Sequence, residues 1–507
     1  MSTVSTIIPT HNYAHYLGEA LDSIAAQTLK PLEVIVVDDG STDDTAEVVE
    51  AHRAALPNLV FIQQERRGAS AARNTGAVKA RGDLLHFLDA DNVLLPDFYL
   101  HMVSVLDAHP DHGAVCCQCY HRYGRSARSY AADRCWVREL PLVKAMEIDN
   151  PFDTSLTLVR CSVFDAIGGF IGAFPIVQDV ELAYRLVAHG PVEVSPERHV
   201  VYRLHGEGIS NTSVTAHIER LLQAESVAGT DRDAYGALCD TYLQYWVAVF
   251  LEQAGRLDEA GERLDRLFAT SPEHPAGRLL HVRLLLAREE LDEANAEAEA
   301  LYARLPDCGL VAAGLAKVRE AGGQVEDAVR LLRRAIEMEL DEVDGQRHRL
   351  DLAGVLMRSG DVEAVGALLG EVLDESEAPD VRPRALAGLA ILRIMSGDVA
   401  GADRLLNEEP DGAMALRAHY NVASELEQAG YLDEAIASFE RVAASPLIMQ
   451  TGLEAGAQFH LGSLHGAAGN VERARECLAA CLRLNPEHRR AAELLAGLGP
   501  ASPPDAG

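Results

Sequence analysis

The stretch Leu84-Leu85-His86-Phe87-Leu88-Asp89-Ala90-Asp91-Asn92 is an apolar run of strand length that ends in two carboxylates one residue apart. Alternate side chains of a strand leave on the same side, so Asp89 and Asp91 at the end of a buried strand can address one ligand together. Two such acids suit a hard divalent cation. Mg²⁺ or Mn²⁺ takes one or two protein carboxylates and leaves its other positions to water and to substrate phosphates. A nucleotide diphosphate would complete the set. An Asp-x-Asp after a strand fits a solvated turn equally well, and the residues upstream decide between the two.

Residues 4–8 read as a short β-branched strand, 9–13 as a loop, and Leu17, Leu21 and Ile24 as one face of a helix. The pattern repeats with Val34-Ile35-Val36-Val37 as strand, Asp38-Asp39-Gly40-Ser41 as turn and 43–55 as a helix with acids in its first turn. Residues 59–63 make a third strand, and a third helix over 69–80 leads into the stretch quoted above. Such alternation predicts right-handed crossovers and a mostly parallel sheet covered on both faces. Ligands of these sheets sit at the carboxyl ends of the strands, so the loops at 10–13, 38–41 and 89–92 converge. There Asp39 can accept a hydrogen bond from a base imino group, His11 or Tyr13 can offer a ring face, and Arg73 can reach base or phosphates with planar donors. Taken singly, Asp39 also fits a turn former, Tyr13 a helix-entry staple and Arg73 a surface charge.

Four segments in succession, Ser5-Thr6-Ile7-Ile8-Pro9-Thr10-His11-Asn12, Val36-Val37-Asp38-Asp39-Gly40-Ser41-Thr42-Asp43, Gly68-Ala69-Ser70-Ala71-Ala72-Arg73-Asn74-Thr75-Gly76 and Phe87-Leu88-Asp89-Ala90-Asp91-Asn92, resemble in order and spacing the motifs of family-two glycosyltransferases with the GT-A fold. The resemblance covers about residues 1–215. It implies an inverting, metal-dependent enzyme of the hexosyltransferase class that uses a nucleotide-activated sugar, usually a UDP-sugar. By that resemblance Asp39 binds the base and Arg73 assists. Pro9, Thr10, His11, Tyr13, Asp89 and Ala90 complete the donor pocket, and Asp91 holds Mn²⁺ or Mg²⁺.

Further on, Phe174-Pro175-Ile176-Val177-Gln178-Asp179-Val180-Glu181 resembles the family's Glu-Asp motif, which opens a helix beneath the acceptor and makes Asp179 the catalytic base. A carboxylate at a helix start is also an ordinary dipole-favoured residue. Gln178 stands where glutamate is usual, which bears on acceptor positioning more than on chemistry. Val200-Val201-Tyr202-Arg203-Leu204-His205-Gly206-Glu207-Gly208-Ile209-Ser210 looks like the family's closing strand and flexible loop. It brings His205 to the metal or diphosphate, although a lone histidine also fits a structural role. In the implied mechanism the metal neutralises charge developing on the departing diphosphate, while Asp179 takes the acceptor proton in one displacement from the opposite face. General-base help of this kind is worth about 10²–10⁴-fold.

Beyond about Ser213 the strands give way to helical periodicity rich in Ala, Leu and Glu. The phrase Gly255-Arg256-Leu257-Asp258-Glu259-Ala260 returns at 323–328, 430–435 and 469–474, with weaker copies at 289–294, which lacks the glycine, 360–365 and 397–402. Its final positions, 260, 294, 328, 365, 402, 435 and 474, step by 33 to 39 residues, close to the period of about 34 of tetratricopeptide repeats. Gly ends one helix, acidic residues open the next, and the small residue lets the pair approach. Pro272, Pro306, Pro446 and Pro486 close the second helices. The expected organisation is an α/β GT-A-type domain over 1–215, a helical linker over 216–240, an all-α tetratricopeptide-like solenoid over 241–498, and a disordered tail over 499–507. Helical repeats fused to such transferases resemble bacterial enzymes that glycosylate peptides and proteins.

The whole composition agrees with a soluble globular protein: 507 residues, 48% hydrophobic and 24% charged. A formal net charge of −32 argues against nucleic acid or anionic membrane as a partner. Nine cysteines lie at irregular spacings, which reads as reduced thiols rather than a disulfide framework. Cys116, Cys117, Cys119 and His121 lack a second Cys-x-x-Cys arm and read as small buried hydrophobes rather than a zinc site. No basic n-region with an apolar h-region opens the chain, and no apolar run reaches about 18 residues, so the expected location is cytoplasmic.

Three functional readings follow. The first is a glycosyltransferase acting on a protein or peptide docked on the repeats. The second is the same enzyme with a polysaccharide or lipid-linked glycan acceptor, the solenoid serving to make a homo-oligomer. The third is a repeat scaffold with an inactive transferase domain, for which Gln178 is the hint.

Overall fold

Val34-Ile35-Val36-Val37 form the interior of strand β2 (Glu33–Asp38), every residue of which is buried, as a parallel strand covered on both faces requires. In the computed structural model, which describes residues 1–123, 129–131, 140, 142–148, 150, 152–174, 176–205, 214–230, 238–407, 409, 412–428, 430–448, 453–486 and 488–498, β2 runs parallel to β1 (Val4–Thr10) and to β3 (Leu59–Gln63). On its other side β1 pairs in parallel with β4 (Leu84–Phe87), so that Ile7 lies between Ile35 and Phe87. Helices α1 (Ala14–Ala25), α2 (Thr45–His52) and α3 (Ala69–Lys79) make the connections. The period of two sorts the side chains: Ile8, Val34 and Val36 pack with Leu17, Leu21 and Ile24 of α1, while Ile7, Ile35, Val37 and Phe87 join Ala72 of α3. The approach of α3 is close. A Cβ on Gly76 would lie 2.4 Å from Cγ2 of Ile7, so glycine is needed there.

The remainder of the sheet departs from the mostly parallel arrangement expected. Its order is β3-β2-β1-β4-β8-β6-β9-β5, with β7 (Tyr130–Ala131) on β6. β8 (Thr157–Arg160) runs antiparallel to β4 and to β6 (Ala114–Tyr123), and β5 (Val93–Leu94) antiparallel to β9 (Val192–Leu204). β6 and β9 are parallel. The turn at 88–92 carries the chain from β4 into β5 with too few residues for the crossover of about a dozen or more that a parallel neighbour needs, and β5 pairs instead with β9 at the far edge of the sheet. Among the described residues this part holds four further α-helices: α4 (Phe98–Ala108), α5 (Leu142–Ala145), α6 (Cys161–Ala166) and α7 (Gln178–His189). Cys116, Cys117 and Cys119 are buried free thiols.

From Val214–Ala228 onward the described elements are helical. Each phrase glycine from Gly255 to Gly469 has φ between 73° and 84°, and Glu289, standing in the copy without glycine, takes the same left-handed turn at φ 62°. The small residues Ala260, Ala294, Ala328, Val365, Ala402, Ala435 and Ala474 are all buried, as close helix pairs require. Cys477 and Cys481 fill the core between such helices. The chain clusters into two compact units, Met1–Gly345 and Gln346–Gly507. The first holds the sheet together with the first helical repeats. Packing there runs on from strands to helices, since Phe174 and Val180 share a core with Ile218, Leu221, Val247 and Leu264. The proposed tail at 499–507 and the loop at 206–210 lie outside the described residues. Among the described residues no helix is long and apolar enough to cross a membrane.

Candidate functional site

A cavity of ≈ 520 Å³ opens at the carboxyl ends of β1, β2 and β4. All eleven residues singled out in the sequence line it: Pro9, Thr10, His11 and Tyr13 after β1, Asp39 after β2, Arg73 on α3, Asp89, Ala90 and Asp91 after β4, Asp179 on α7 and His205 after β9. Sheet register explains the meeting of the first three loops: β1 and β2 end together at Thr10 and Asp38, and β4 ends opposite Ile7, so that Asp89 and Asp91 follow just beyond it on the same side of the sheet.

Asp39 is only 4% exposed and holds the neighbouring loop. Its Oδ1 accepts from Gln64 Nε2 at 2.7 Å and from the Arg67 amide at 2.8 Å, and its Oδ2 accepts from the Gly68 amide at 2.7 Å. A carboxylate has about four acceptor positions, so one remains on Oδ2, and Asp39 lines the cavity. Arg73 spans two further elements. Its Nη2 donates to Asp89 Oδ1 at 2.6 Å and its Nη1 to Gln178 Oε1 at 3.3 Å. Burial pulls the guanidinium pKa down, but the charges of Asp89, then Asp179 and Asp153, override it and leave the pKa raised. Its Nε is buried and unpartnered, as are Thr10 Oγ1 and His11 Nδ1. Such atoms cost about 1–3 kcal/mol each when left unmet, and all three residues line the cavity, where a polar ligand can meet them.

The acids converge. His205 Nε2 lies 3.0 Å from Asp91 Oδ2, and the imidazole packs 4.6 Å from the Tyr16 ring. Asp89 Oδ2 accepts from Thr154 Oγ1 at 3.2 Å. A fifth carboxylate, Asp153, joins Asp39, Asp89, Asp91 and Asp179 in the lining. Their joint field registers on Tyr202, whose phenol is pushed well above its ordinary pKa by Asp153 first, then burial, then Asp89, Asp91 and Asp179. An oxygen-rich site of this sign, with one imidazole, fits a borderline-hard divalent cation such as Mn²⁺.

Asp179 sits in the first turn of α7, behind Val177, a β-branched residue held at φ 58°. The helix is tied down by Arg185, which pairs with the buried Glu181 and donates to the carbonyls of Ile167 at 2.6 Å and Gly169 at 2.8 Å. Asp179 Oδ2 accepts from Asn150 Nδ2 at 2.8 Å. Sequence reasoning missed Asn150, Asp153 and Thr154, which sit on a segment without periodicity or motif. Tyr202 stands in the segment that resembles the family's closing strand, where the sequence assigns a role only to His205.

The family model Glycosyl transferase family 2 matches residues 5–167, and Tetratricopeptide repeat models match 251–318, 314–378, 416–444 and 459–499. The chain carries a family 2 glycosyltransferase domain followed by tetratricopeptide repeats. The glycosyltransferase domain is similar to glycosyltransferase GlyA of Streptococcus pneumoniae serotype 4, 39% identical over 95 residues, 19% of this chain and 14% of that one. It is similar also to validoxylamine A glucosyltransferase of Streptomyces hygroscopicus subsp. jinggangensis, 33% identical over 228 residues, 38% of this chain. The chain spans 14% and 54% of the lengths of these two relatives. Among solved structures, S. aureus TarS 1-349 in complex with UDP-GlcNAc matches with a TM-score of 0.38 at 20% identity, over 64% of this chain and 92% of that one.

Proposed function

We propose that this protein is an inverting glycosyltransferase that moves a sugar from a nucleotide-sugar, a UDP-sugar in the first instance, to a protein or peptide acceptor docked on the helical repeats. The observation that carries the reading is the convergence of Asp39, Arg73, Asp91, His205 and Asp179 on one cavity. Asp39 keeps an acceptor position for a base N–H, and Arg73, Thr10 and His11 have buried polar atoms to meet a ribose or diphosphate. Asp91 and His205 would hold Mn²⁺ or Mg²⁺, which when bound offsets the charge of the diphosphate. Asp179, fixed by Asn150, takes the proton of the attacking acceptor. No covalent nucleophile is required. The pneumococcal glycosyltransferase and the validoxylamine A glucosyltransferase support the class of reaction.

The peptide acceptor is favoured by where the first repeats pack. Trp246 Nε1 donates to the carbonyl of Ile148 at 2.9 Å, and Ser271 Oγ donates to Glu147 Oε2 at 2.9 Å. The repeat helices thus touch the segment that carries Asn150, next to the base, and a chain bound along them would be delivered to Asp179 at raised local concentration. Intact-mass spectrometry of candidate acceptor peptides and proteins, after incubation with a panel of sugar nucleotides and Mn²⁺, tests this. The expected result is the mass gain of a sugar on a polypeptide. Gain confined to glycan or lipid-linked acceptors overturns the acceptor assignment, and no turnover of any sugar nucleotide overturns the enzyme.

A further inference from the structure

Away from the cavity, three side chains bring metal-binding atoms together. His101 on α4 and Glu197 and His199 on β9 place one ligand atom each within 4.8 Å of one another. His199 Nε2 lies 3.2 Å from Glu197 Oε2, and His101 Nδ1 lies 3.6 Å from the same oxygen. A tetrahedral ion with bonds of about 2.0–2.1 Å sets its ligand atoms roughly 3.3 Å apart, so the trio needs little closure to accept one. Glu197 and His199 are two apart on a strand and share a face. The Leu95 amide, just before α4, donates to the His199 carbonyl at 2.8 Å and fixes the helix start beside that strand.

The outer contacts of His101 point the same way. Its Nε2 lies 2.8 Å from the hydroxyl of Ser195, which is buried and also accepts from the Glu197 amide at 3.3 Å. A histidine that ligates a metal commonly gives its other ring N–H to such a partner, which fixes the tautomer and aims the free nitrogen at the ion. With Nε2 committed to Ser195, Nδ1 of His101 is left facing Glu197. The His101 and His199 rings lie 4.5 Å apart, centre to centre, and the Glu197 side chain is 62% exposed, which leaves a path for entry.

We propose that His101, Glu197 and His199 form a binding site for a divalent transition metal of the zinc class, separate from the donor cavity. Two imidazoles and one carboxylate favour Zn²⁺ or Co²⁺ over Mg²⁺, with water in the fourth position. The ion ties α4 to β9, the strand that carries Tyr202 and Arg203 to the cavity.

Co²⁺ is the probe, because four-coordinate Co²⁺ absorbs visible light much more strongly than six-coordinate Co²⁺. The full-length Asp91→Asn chain, stripped of metal, keeps the donor site from contributing. Titrated with Co²⁺ it is expected to develop strong visible bands that saturate near one equivalent and are bleached by Zn²⁺. Glu197→Gln or His199→Gln in that background abolishes the bands, and Ser195→Ala weakens Co²⁺ binding by about 10–100-fold. Glu197 is an exposed side chain, so its amide variant retains the fold, as circular dichroism checks. Failure of the Asp91→Asn chain to develop the bands overturns the site, and so do bands that persist unchanged in both the Glu197→Gln and His199→Gln chains.

Discussion

Asn150 Nδ2 donates to Asp179 Oδ2 at 2.8 Å, and this bond links the proposed base to a segment that the first repeats hold in place. On that segment Glu147 accepts from Ser271 and Lys144, its carbonyl lies 3.2 Å from His274 Nε2, and the carbonyl of Ile148 accepts from Trp246. Ile148 itself is buried with Ala276, Leu301 and Val311. Asn150→Ala should therefore lower sugar-nucleotide turnover about tenfold while leaving UDP affinity unchanged. Trp246→Phe, which keeps an aromatic side chain but removes the indole N–H and with it a hydrogen bond worth about 0.5–1.5 kcal/mol, should lower turnover a few-fold in the same manner. Steady-state kinetics beside UDP titration separates the two quantities. A fall in UDP affinity equal to the fall in turnover would place Asn150 in the donor pocket instead.

Asp91→Asn should remove the metal-dependent part of nucleotide binding, since an amide cannot replace a carboxylate on a cation that competes with water. Isothermal titration with UDP, with and without Mn²⁺, reads this directly. Wild-type affinity in the variant, or no metal requirement in the parent, excludes Asp91 from the site.

His86 gives the fold a dependence on pH. It is fully buried between Tyr99 and the Ser155 carbonyl, and burial lowers its pKa to about 4 from 6.5. Between these values the unfolded chain takes up a proton that the folded chain refuses. The stability is complete above about 6.5 and is lost as pH falls toward 4, by up to about 3 kcal/mol. Thermal melts at pH 7.5 and 4.5 should show a smaller drop for His86→Gln than for the parent. Equal drops would show that the imidazole does not carry this proton linkage.

Glu289 holds the left-handed turn that glycine holds in the other repeats. That conformation costs a residue with a Cβ about 1–2 kcal/mol, against about 0.4–1 kcal/mol of added chain entropy for glycine in the unfolded state. Glu289→Gly should leave the protein slightly more stable, by up to about 1 kcal/mol, seen as a higher Tm. A lower Tm would mean that the Glu289 side chain contributes more than its strain costs.

The parts of the fold legible in the sequence are those written in local periodicity. β1 to β4, the helices between them and the repeat glycines all carry their signal within a few residues, and strand register then brings Asp39, Asp89 and Asp91 together. Asp179 and His205 were reachable through motif resemblance, not through periodicity. Asn150, Asp153 and Thr154 were not legible, because their position depends on β8 pairing antiparallel between β4 and β6 and on helices more than 90 residues further along, such as that bearing Trp246. The left-handed turn at Glu289 was hidden because the residue that normally signals it is absent. The same packing bears on a cut after Thr230, inside the linker expected over 216–240. It would uncover Phe174, Val180 and Ile148 and release the support of Asn150.

The proposal that Asp179 is the base of a nucleotide-sugar transferase is tested most directly on one protein. Donor affinity and sugar-nucleotide hydrolysis, measured together on Asp179→Asn, should part: UDP and UDP-sugar bind as in the parent, while turnover falls by about 10² or more. Loss of affinity in step with turnover, or turnover that survives the substitution, would show that Asp179 is not the base.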